Sequence, residues 1–325
     1  MMILANEMKQ TQEVILKEET VIIQTSKACK LFFQYLELGK ARLTTLVMTS
    51  AVAGYFMGPG DLDLKTLLCC SVGTGFMSAS SHVFNQLLEV PHDAMMGRTK
   101  QRLLVQKSIT TQHAVIFGIL VGFFGLAMLC MAVNPLTCFL GALTWLLYVA
   151  VYTPMKRISI LNTWIGSVVG ALPTLMGFTA LTNKVSLDGA LLFAISFSWQ
   201  FPHFNALSWY LRKDYARAGY KMMSVCNQNL CRSTTLNYAC VLPLICLMTC
   251  ISGLTSKEFF VVSLPVNGVF IFLSYDFFKQ PTVTNARKLF KYSLIYLPLI
   301  FSLMFVCKGK YSLGFNVFFA TEEEI

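Results

Sequence analysis

The sequence predicts an all-α, polytopic membrane protein with nine transmembrane helices. Hydrophobic residues make up 55% of the 325 residues, charged residues make up only 13%, and the mean hydropathy is +0.59. A soluble domain carries about 25% charged residues, so this chain lacks the polar surface that a soluble protein requires. Apolar runs approaching the roughly 20 residues that cross a bilayer recur along the chain, and the basic residues fall mainly on one side of them.

The predicted spans are separated by short polar connections and form one domain over residues 39–310. The clearest are residues 114–133 and 161–181, which contain no charged residue. Proline lies inside several spans, which is more frequent in membrane helices than in soluble ones. The spans lie near residues 43–60, 66–88, 113–133, 135–152, 160–181, 187–209, 236–254, 258–276 and 292–308.

Basic residues are distributed unequally between the two sides of the predicted membrane. Seventeen lysines and arginines lie just before the first span or after the even-numbered spans, and five lie on the other side. This is a strong positive-inside asymmetry. The net charge of +10 therefore marks one face of a membrane protein. It argues against a nucleic-acid partner and favours anionic lipid or substrate on that face.

Two tails flank the predicted domain, residues 1–38 and residues 311–325. The N-terminal tail contains four lysines, several acidic residues and no arginine. Mitochondrial transit peptides are rich in arginine and poor in acidic residues, so this tail matches neither a transit peptide nor a secretory signal. The eleven cysteines have no metal-ligand or redox-motif spacing, and we interpret them as packing residues.

A first candidate site lies at the end of the second span. Asn85, Glu89 and Asp93 recur every four residues, which places them about 40° apart on one helix face. Three oxygen ligands on one face suit Mg²⁺, which shares its coordination shell with water and phosphate. Arg98 and Arg102 follow one turn apart and predict contacts with phosphate oxygens. The alternative interpretation is a solvent-exposed helix end that carries ordinary surface charges.

A second candidate site follows the sixth span. Asp214 lies eleven residues after His203 in the sequence. If that helix continues beyond the membrane, the two side chains point in directions within about 20° of each other. His203, Tyr210 and Asp214 would then share one face, with the histidine deepest. Both sites follow even-numbered spans, so both open on the basic side of the membrane. Two carboxylate sites must lie on the same side if they are to bind one metal–diphosphate group. The alternative for His203 is a histidine that only packs between helices.

A pair of basic residues, Lys156 and Arg157, follows the fourth span on the same side. They are either membrane-anchoring charges or further ligands of a diphosphate. The residues alone leave both interpretations open.

The segment from Asn85 to Arg102 resembles the signature of the protoheme IX farnesyltransferase family, a branch of the UbiA superfamily of intramembrane prenyltransferases. It has the form Asn-x-x-x-Glu-x-x-x-Asp-Ala-x-Met-x-Arg-Thr-x-x-Arg. Further matches extend the resemblance over residues 35–300, and Phe-Asn-Ala-Leu-Ser-Trp resembles the animal mitochondrial branch. These matches are Leu38-Gly-Lys-Ala-Arg-Leu-Thr44, Tyr152-Thr-Pro-Met-Lys-Arg157, Trp199-Gln-x-Pro-His-Phe204, Asp214-Tyr-x-x-x-Gly-Tyr-x-Met-Met223 and Ala286-Arg-Lys-Leu-Phe290.

The resemblance implies a UbiA-like bundle of nine helices around a lipid-accessible cavity. The implied reaction joins farnesyl diphosphate to a vinyl group of heme b, adds water and gives heme O, the precursor of heme A in cytochrome oxidase. Heme b is then a substrate, and Mg²⁺ is the implied cofactor. The implied location is the mitochondrial inner membrane with the basic loops in the matrix, and the downstream heme A synthase is an implied partner.

The resemblance also assigns roles to individual residues. His203 would orient heme, either as an axial ligand of the iron or as the acceptor of a proton from the added water. The implied metal ligands are Asn85, Glu89, Asp93 and Asp214. The implied diphosphate ligands are Lys40, Arg98, Arg102, Lys156, Arg157 and Arg212.

Two alternative functions remain at this point. A UbiA-type enzyme that prenylates an aromatic quinone precursor usually has a first motif richer in aspartate. A transporter with a polar site at mid-membrane would explain nine spans, but not the arginines that flank both acidic sites on one side. The chain departs from the family where Leu103 replaces a frequent proline, and where Asp214 is the single acid of the second site.

Overall fold

Helices make up nearly all of residues 29–309, the range that this computed structural model describes. The expectations for residues 1–28 and 310–325 lie outside the described residues, whereas residues 29–38 form a helix, α1. The following helices are α2 (Ala41–Met57), α3 (Leu64–Asp93), α4 (Thr111–Ala132), α5 (Pro135–Leu146), α6 (Thr153–Ile158), α7 (Asn162–Thr182), α8 (Leu187–Tyr210), α9 (Arg212–Arg217), α10 (Met223–Cys226), α11 (Gln228–Ile251), α12 (Lys257–Lys279) and α13 (Val283–Val306). A π-helix, Leu147–Tyr152, joins α5 to α6.

Polar side chains cap the start of five of the long helices. In each case a side-chain oxygen accepts a hydrogen bond from the backbone N–H three residues further on, which satisfies a donor that the first turn leaves unpaired. These caps fix where the helices begin. They are Thr110, Asn134, Ser186, Asn227 and Thr282.

Seven helical segments of the described range are long and apolar enough to cross a membrane. They are Leu64–Asp93, Thr111–Ala132, Pro135–Ile158, Asn162–Thr182, Gln228–Ile251, Lys257–Lys279 and Val283–Val306. Two predicted spans are not among them: α2 has only 17 residues, and α8 carries Gln200, His203 and Asn205 in its interior. The all-helical class is confirmed, while the count of nine spans stays a prediction.

Large apolar side chains on α4 face outward rather than into the protein. Ile116, Ile119, Phe123 and Phe124 are 56–64% exposed. In water such a surface would be unfavourable, but in a bilayer it contacts lipid chains. This outward apolar face is the packing expected of a membrane helix.

The long helices pack in two groups. Helices α2, α3, α4, α5 and α7 form the first group, and α8, α11, α12 and α13 form the second. The groups meet where α7 packs on α8, and again where α13 touches α2. Met96, after α3, also packs on Ala218 and Tyr220, after α8, so these two connections link the groups as well.

Two glycines allow α2 and α7 to touch backbone to backbone. A Cβ atom on Gly54 would lie 1.9 Å from the carbonyl oxygen of Thr174, and one on Gly177 would lie 1.8 Å from that of Ala51. Small residues permit such close approach between membrane helices. This contact fixes the second half of α2 against the second half of α7.

Candidate active site

The four-residue spacing of the first motif produces one buried face of α3. Asn85, Glu89 and Asp93 are only 1%, 5% and 2% exposed. Pro91 lies inside the helix, yet α3 continues to Asp93. Two carboxylates and an amide therefore line the last two turns of the helix, as their spacing predicted.

Each of these three residues contacts a cation from a different part of the chain. Lys40 Nζ donates to Asn85 Oδ1 at 3.1 Å, and Lys156 Nζ donates to Glu89 Oε1 at 2.8 Å. The guanidinium of Arg102 forms an ion pair with the Asp93 carboxylate. We call these six residues the charge cluster: Lys40, Asn85, Glu89, Asp93, Arg102 and Lys156.

The charge cluster contains one more cation than acids. Burying an unbalanced charge is costly, because few water molecules solvate it. Burial and the neighbouring charges of Arg102 and Lys156 lower the pKa of Lys40 to about 7, and the acids Glu89 and Asp93 oppose this shift. The cluster is therefore electrostatically suited to an additional anion.

Lys40 occupies an unusual backbone conformation just before α2. Its φ is +49°, in the left-handed region that side chains other than glycine seldom adopt. Gln86 Nε2 donates to the Leu38 carbonyl at 2.6 Å, and Thr44 Oγ1 donates to the Gly39 carbonyl at 2.8 Å. These two bonds hold the turn that directs Lys40 at Asn85.

The π-helix supplies the opposite wall. Thr153 Oγ1, directly after it, accepts a hydrogen bond from Asn85 Nδ2 at 3.2 Å. Tyr152 places its ring under Lys156, with Nζ 4.5 Å from the ring centre. Short π-helices are frequent at functional sites. Roles for the Tyr152 ring and the Thr153 hydroxyl were not predicted from the sequence, because the π-helix depends on tertiary packing.

The loops after α3 and α8 pack against each other, as their placement on one side requires. Met96 is buried with Ala218 and Tyr220, and Lys221 N–H donates to the Lys156 carbonyl at 2.7 Å. The Tyr220 hydroxyl is buried without a hydrogen-bond partner among the described residues. Burial and the nearby Glu89 carboxylate raise the pKa of Tyr220, so its hydroxyl keeps a proton that it can donate.

Asp214 borders the first loop without joining the charge cluster. A Cβ atom on Gly97 would lie 3.8 Å from Asp214 Oδ2. The nearest cation to its carboxylate is Arg217, at 3.9 Å. The structure thus places the second acid at the entrance of the site rather than among the buried acids.

Three predicted diphosphate ligands form no hydrogen bond or ion pair with the charge cluster among the described residues. Arg157 Nη1 is 3.3 Å from His92 Nε2, and Arg212 lies over the Trp209 ring at 4.9 Å. Arg98 is exposed and forms no ion pair with a described residue. Their assignment as diphosphate ligands stays a prediction.

His203 lies in the second group of helices, on an aromatic wall. Its Nδ1 is 2.8 Å from Ser293 Oγ. Its ring stacks on Trp199, with centres 4.6 Å apart, and lies 5.0 Å from the Phe290 ring. Nε2 has no hydrogen-bond partner among the described residues.

The assumption of one continuous helix from His203 to Asp214 is wrong. Helix α8 ends at Tyr210, because Leu211 adopts φ −99° and ψ 13°, and α9 begins at Arg212. Tyr210 is exposed, with Arg287 over its ring at 4.3 Å. The helical repeat therefore does not relate the direction of Asp214 to that of His203.

The donor set of the charge cluster fits a hard divalent cation. Carboxylate and amide oxygens from Asn85, Glu89 and Asp93 are the ligand types that Mg²⁺ prefers. Within residues 29–309 no three His, Cys, Asp or Glu side chains are close enough to form a metal site by themselves. A cation held here would therefore complete its shell with an anionic substrate and water.

The chain is similar to known proteins in its sequence and in its fold. A model of the UbiA prenyltransferase family matches residues 46–297. The mitochondrial protoheme IX farnesyltransferase of Homo sapiens is 44% identical over 271 residues, which cover 83% of this chain and 61% of that protein. The chain thus spans about three fifths of the length of this curated relative.

Solved structures share the fold. A structure of digeranylgeranylglyceryl phosphate synthase in membranes has a TM-score of 0.73 at 15% identity, covering 85% of this chain and 98% of that one. A UbiA homolog from Archaeoglobus fulgidus, bound to GPP and Mg²⁺, has a TM-score of 0.64 at 13% identity, covering 83% of this chain and 99% of that one. At these identities the likeness concerns the fold alone.

Proposed function

This chain belongs to the UbiA prenyltransferase family, and we propose that it transfers a farnesyl group from farnesyl diphosphate to a vinyl group of heme b. The reaction adds water and gives heme O. The observation that carries this proposal is the extended identity with the human relative, which is named for farnesylation of protoheme IX. That identity favours heme over an aromatic quinone precursor as the acceptor.

We infer that the charge cluster binds the diphosphate. Its surplus of cations favours an anion, and Lys40, Arg102 and Lys156 supply charge-assisted hydrogen bonds to phosphate oxygens. The free hydroxyl of Tyr220 adds a further donor. Arg98, Arg157 and Arg212 line the same side of the membrane and guide the anion toward the cluster.

Binding requires the ion pairs of the cluster to rearrange. Lys156 now pairs with Glu89, and Arg102 with Asp93. We propose that both cations turn to the diphosphate when it enters, which frees the carboxylates to hold Mg²⁺ with Asn85, and with Asp214 from the entrance. The metal supplies charge neutralisation for the leaving diphosphate.

We propose that His203 and its aromatic neighbours position the heme. A flat ring system suits the stacked faces of Trp199 and His203. Because Nδ1 is bound to Ser293, Nε2 is available either to ligate iron or to accept a proton. This assignment places the acceptor beside the second group of helices and the diphosphate beside the first.

The proposed location is the mitochondrial inner membrane, with the basic loops facing the matrix. The naming of the human relative as mitochondrial and the positive-inside asymmetry support it. Because the product is too hydrophobic to diffuse freely through water, we also propose contact with the downstream heme A synthase, which would receive heme O directly.

Transfer of labelled farnesyl diphosphate tests the proposed function. Membranes containing the chain are incubated with heme b or with 4-hydroxybenzoate, with and without EDTA. Label should move to heme b alone, and excess EDTA should abolish transfer. Asp93→Asn should lose about 100-fold or more in turnover, while Asp188→Asn, in the first turn of α8, serves as the matched control. Transfer to 4-hydroxybenzoate, or full activity in EDTA, would contradict the proposal.

A further inference from the structure

A buried histidine beneath the charge cluster has no role in the chemistry described so far. His82 is 4% exposed, and its Nδ1 has no hydrogen-bond partner among the described residues. Leaving such an atom unpaired is unfavourable, because it has lost its hydrogen bonds to water and gained none in the protein. Buried polar groups without a protein partner usually bind an ordered water or a ligand.

His82 lies on the same face of α3 as the acids, deeper in the membrane. Taking about 100° per residue, its direction falls about 60° from that of Asn85, between those of Glu89 and Asp93. Its ring meets the edge of Tyr148 from the π-helix, with centres 5.5 Å apart. The imidazole is thus placed directly below the site of the diphosphate.

A chain of hydrogen bonds determines which ring nitrogen carries the proton. Thr44 Oγ1 donates to the Gly39 carbonyl at 2.8 Å, so its hydroxyl hydrogen is used. Ser78 Oγ lies 3.5 Å from Thr44 Oγ1 and donates to it. His82 Nε2, at 3.4 Å from Ser78 Oγ, must therefore donate to Ser78. We assign the proton to Nε2 on this basis, which leaves Nδ1 with a free lone pair.

We propose that His82 Nδ1 binds the water molecule that is added during farnesyl transfer and accepts its proton; this inference rests on the proposed function. The unpaired Nδ1 offers an acceptor for a water at a depth where the membrane otherwise excludes it. Ser78 lies on the opposite, Nε2 side of the ring, and the Tyr148 ring packs edge-on against the imidazole.

The step balances without a redox partner. The bond between farnesyl carbon and diphosphate oxygen breaks, and its electron pair leaves with the diphosphate. The vinyl group forms the new carbon–carbon bond through its terminal carbon, which leaves a cation at the inner carbon. Water oxygen bonds to that carbon, and one water proton moves to His82 Nδ1. The charges of Lys40 and Lys156 act on this ring, and the bound diphosphate compensates them when the proton arrives.

A substitution that removes the lone pair of His82 Nδ1 should change the product of the reaction. Without a bound water and a base, the cation loses a proton from the neighbouring carbon instead and gives an alkene that is lighter by one water. The purified chain in nanodiscs is supplied with Mg²⁺, farnesyl diphosphate, heme b and water labelled with oxygen-18. Mass spectrometry then measures the ratio of hydrated to dehydrated product and the label in the former.

His82→Leu should lower this ratio by about 100-fold, the usual contribution of a general base. Ser78→Ala removes the hydrogen bond that orients the imidazole and should lower the ratio of hydrated to dehydrated product by a smaller factor. This variant tests the inference even if His82→Leu does not fold. His113→Leu, a change at a histidine hydrogen-bonded to Tyr35 on α1, is the matched control. An unchanged ratio in Ser78→Ala, or in folded His82→Leu, would overturn the inference while leaving the proposed function intact. Failure of the unmodified protein to farnesylate heme would instead refute the proposed function.

Discussion

Replacing Lys156 with methionine should destabilise the protein by about 3 kcal/mol. The lysine ammonium lies 2.8 Å from Glu89 Oε1, and the two side chains are only 12% and 7% exposed. Removing one partner of a buried pair typically costs about 3–5 kcal/mol, because the other charge stays buried without compensation. Lys40 and Arg102 also act on the Glu89 carboxylate, so we expect the lower end of this range.

A double variant separates the cost of the uncompensated charge from lost packing. Glu89→Met combined with Lys156→Met removes both charges and keeps similar volumes. Such replacements are often neutral or stabilising, so most of the lost stability should return. Turnover should not return, and should stay at least about 100-fold below that of the unmodified protein.

Unfolding can be followed through the buried thiols of Cys70, Cys231 and Cys246. The protein is unfolded with increasing sodium dodecyl sulfate in mixed micelles, after the exposed cysteines have been replaced by serine, and thiol labelling reports the unfolded fraction. These exposed residues are Cys29, Cys130, Cys226 and Cys240. A single variant as stable as the unmodified protein, or a double variant as unstable as the single one, would show that Lys156 does not compensate the buried charge of Glu89. A stable and active double variant would refute the role of the pair in catalysis.

Gly177→Ala should cost about 2 kcal/mol in the same unfolding assay, because its Cβ would lie 1.8 Å from the Ala51 carbonyl oxygen; unchanged stability would contradict the close helix contact. Cysteines introduced at Lys107 and Lys221, in a background without native cysteines, should react with an impermeant thiol reagent from the same side of the membrane. Labelling from opposite sides would contradict the arrangement of the two loops. His203→Ala should weaken apparent heme affinity about tenfold, equivalent to about 1.4 kcal/mol, with little effect on farnesyl diphosphate. A selective loss of diphosphate affinity would contradict the placement of the heme.

The sequence was sufficient to predict the buried acidic face. Residues four apart on a helix share one side whatever surrounds them, so Asn85, Glu89 and Asp93 could be grouped without a structure. The placement of Lys40 and Lys156 beside these residues agrees with the common side that the charge asymmetry predicted for them. Which acid each cation contacts depends on the packing of distant helices, and spacing along the chain carries no such information.

Other features had little or no local signal. Leu211 ends α8 although it is neither glycine nor proline, so the break that separates His203 from Asp214 could not be read from residue type. The π-helix that positions Tyr148 is likewise a consequence of packing. His82 is different, since its direction on α3 follows from helical geometry; what the sequence could not reveal is that its Nδ1 lacks a partner.

The mass of the heme product formed by the purified chain shows whether the protein transfers farnesyl to heme. Nanodiscs containing the protein are incubated with heme b, farnesyl diphosphate and Mg²⁺, and the hemes are extracted and analysed by mass spectrometry. We expect a heme heavier by one farnesyl group and one water, formed in step with the release of diphosphate. Recovery of unchanged heme b from protein that binds and cleaves farnesyl diphosphate would contradict it.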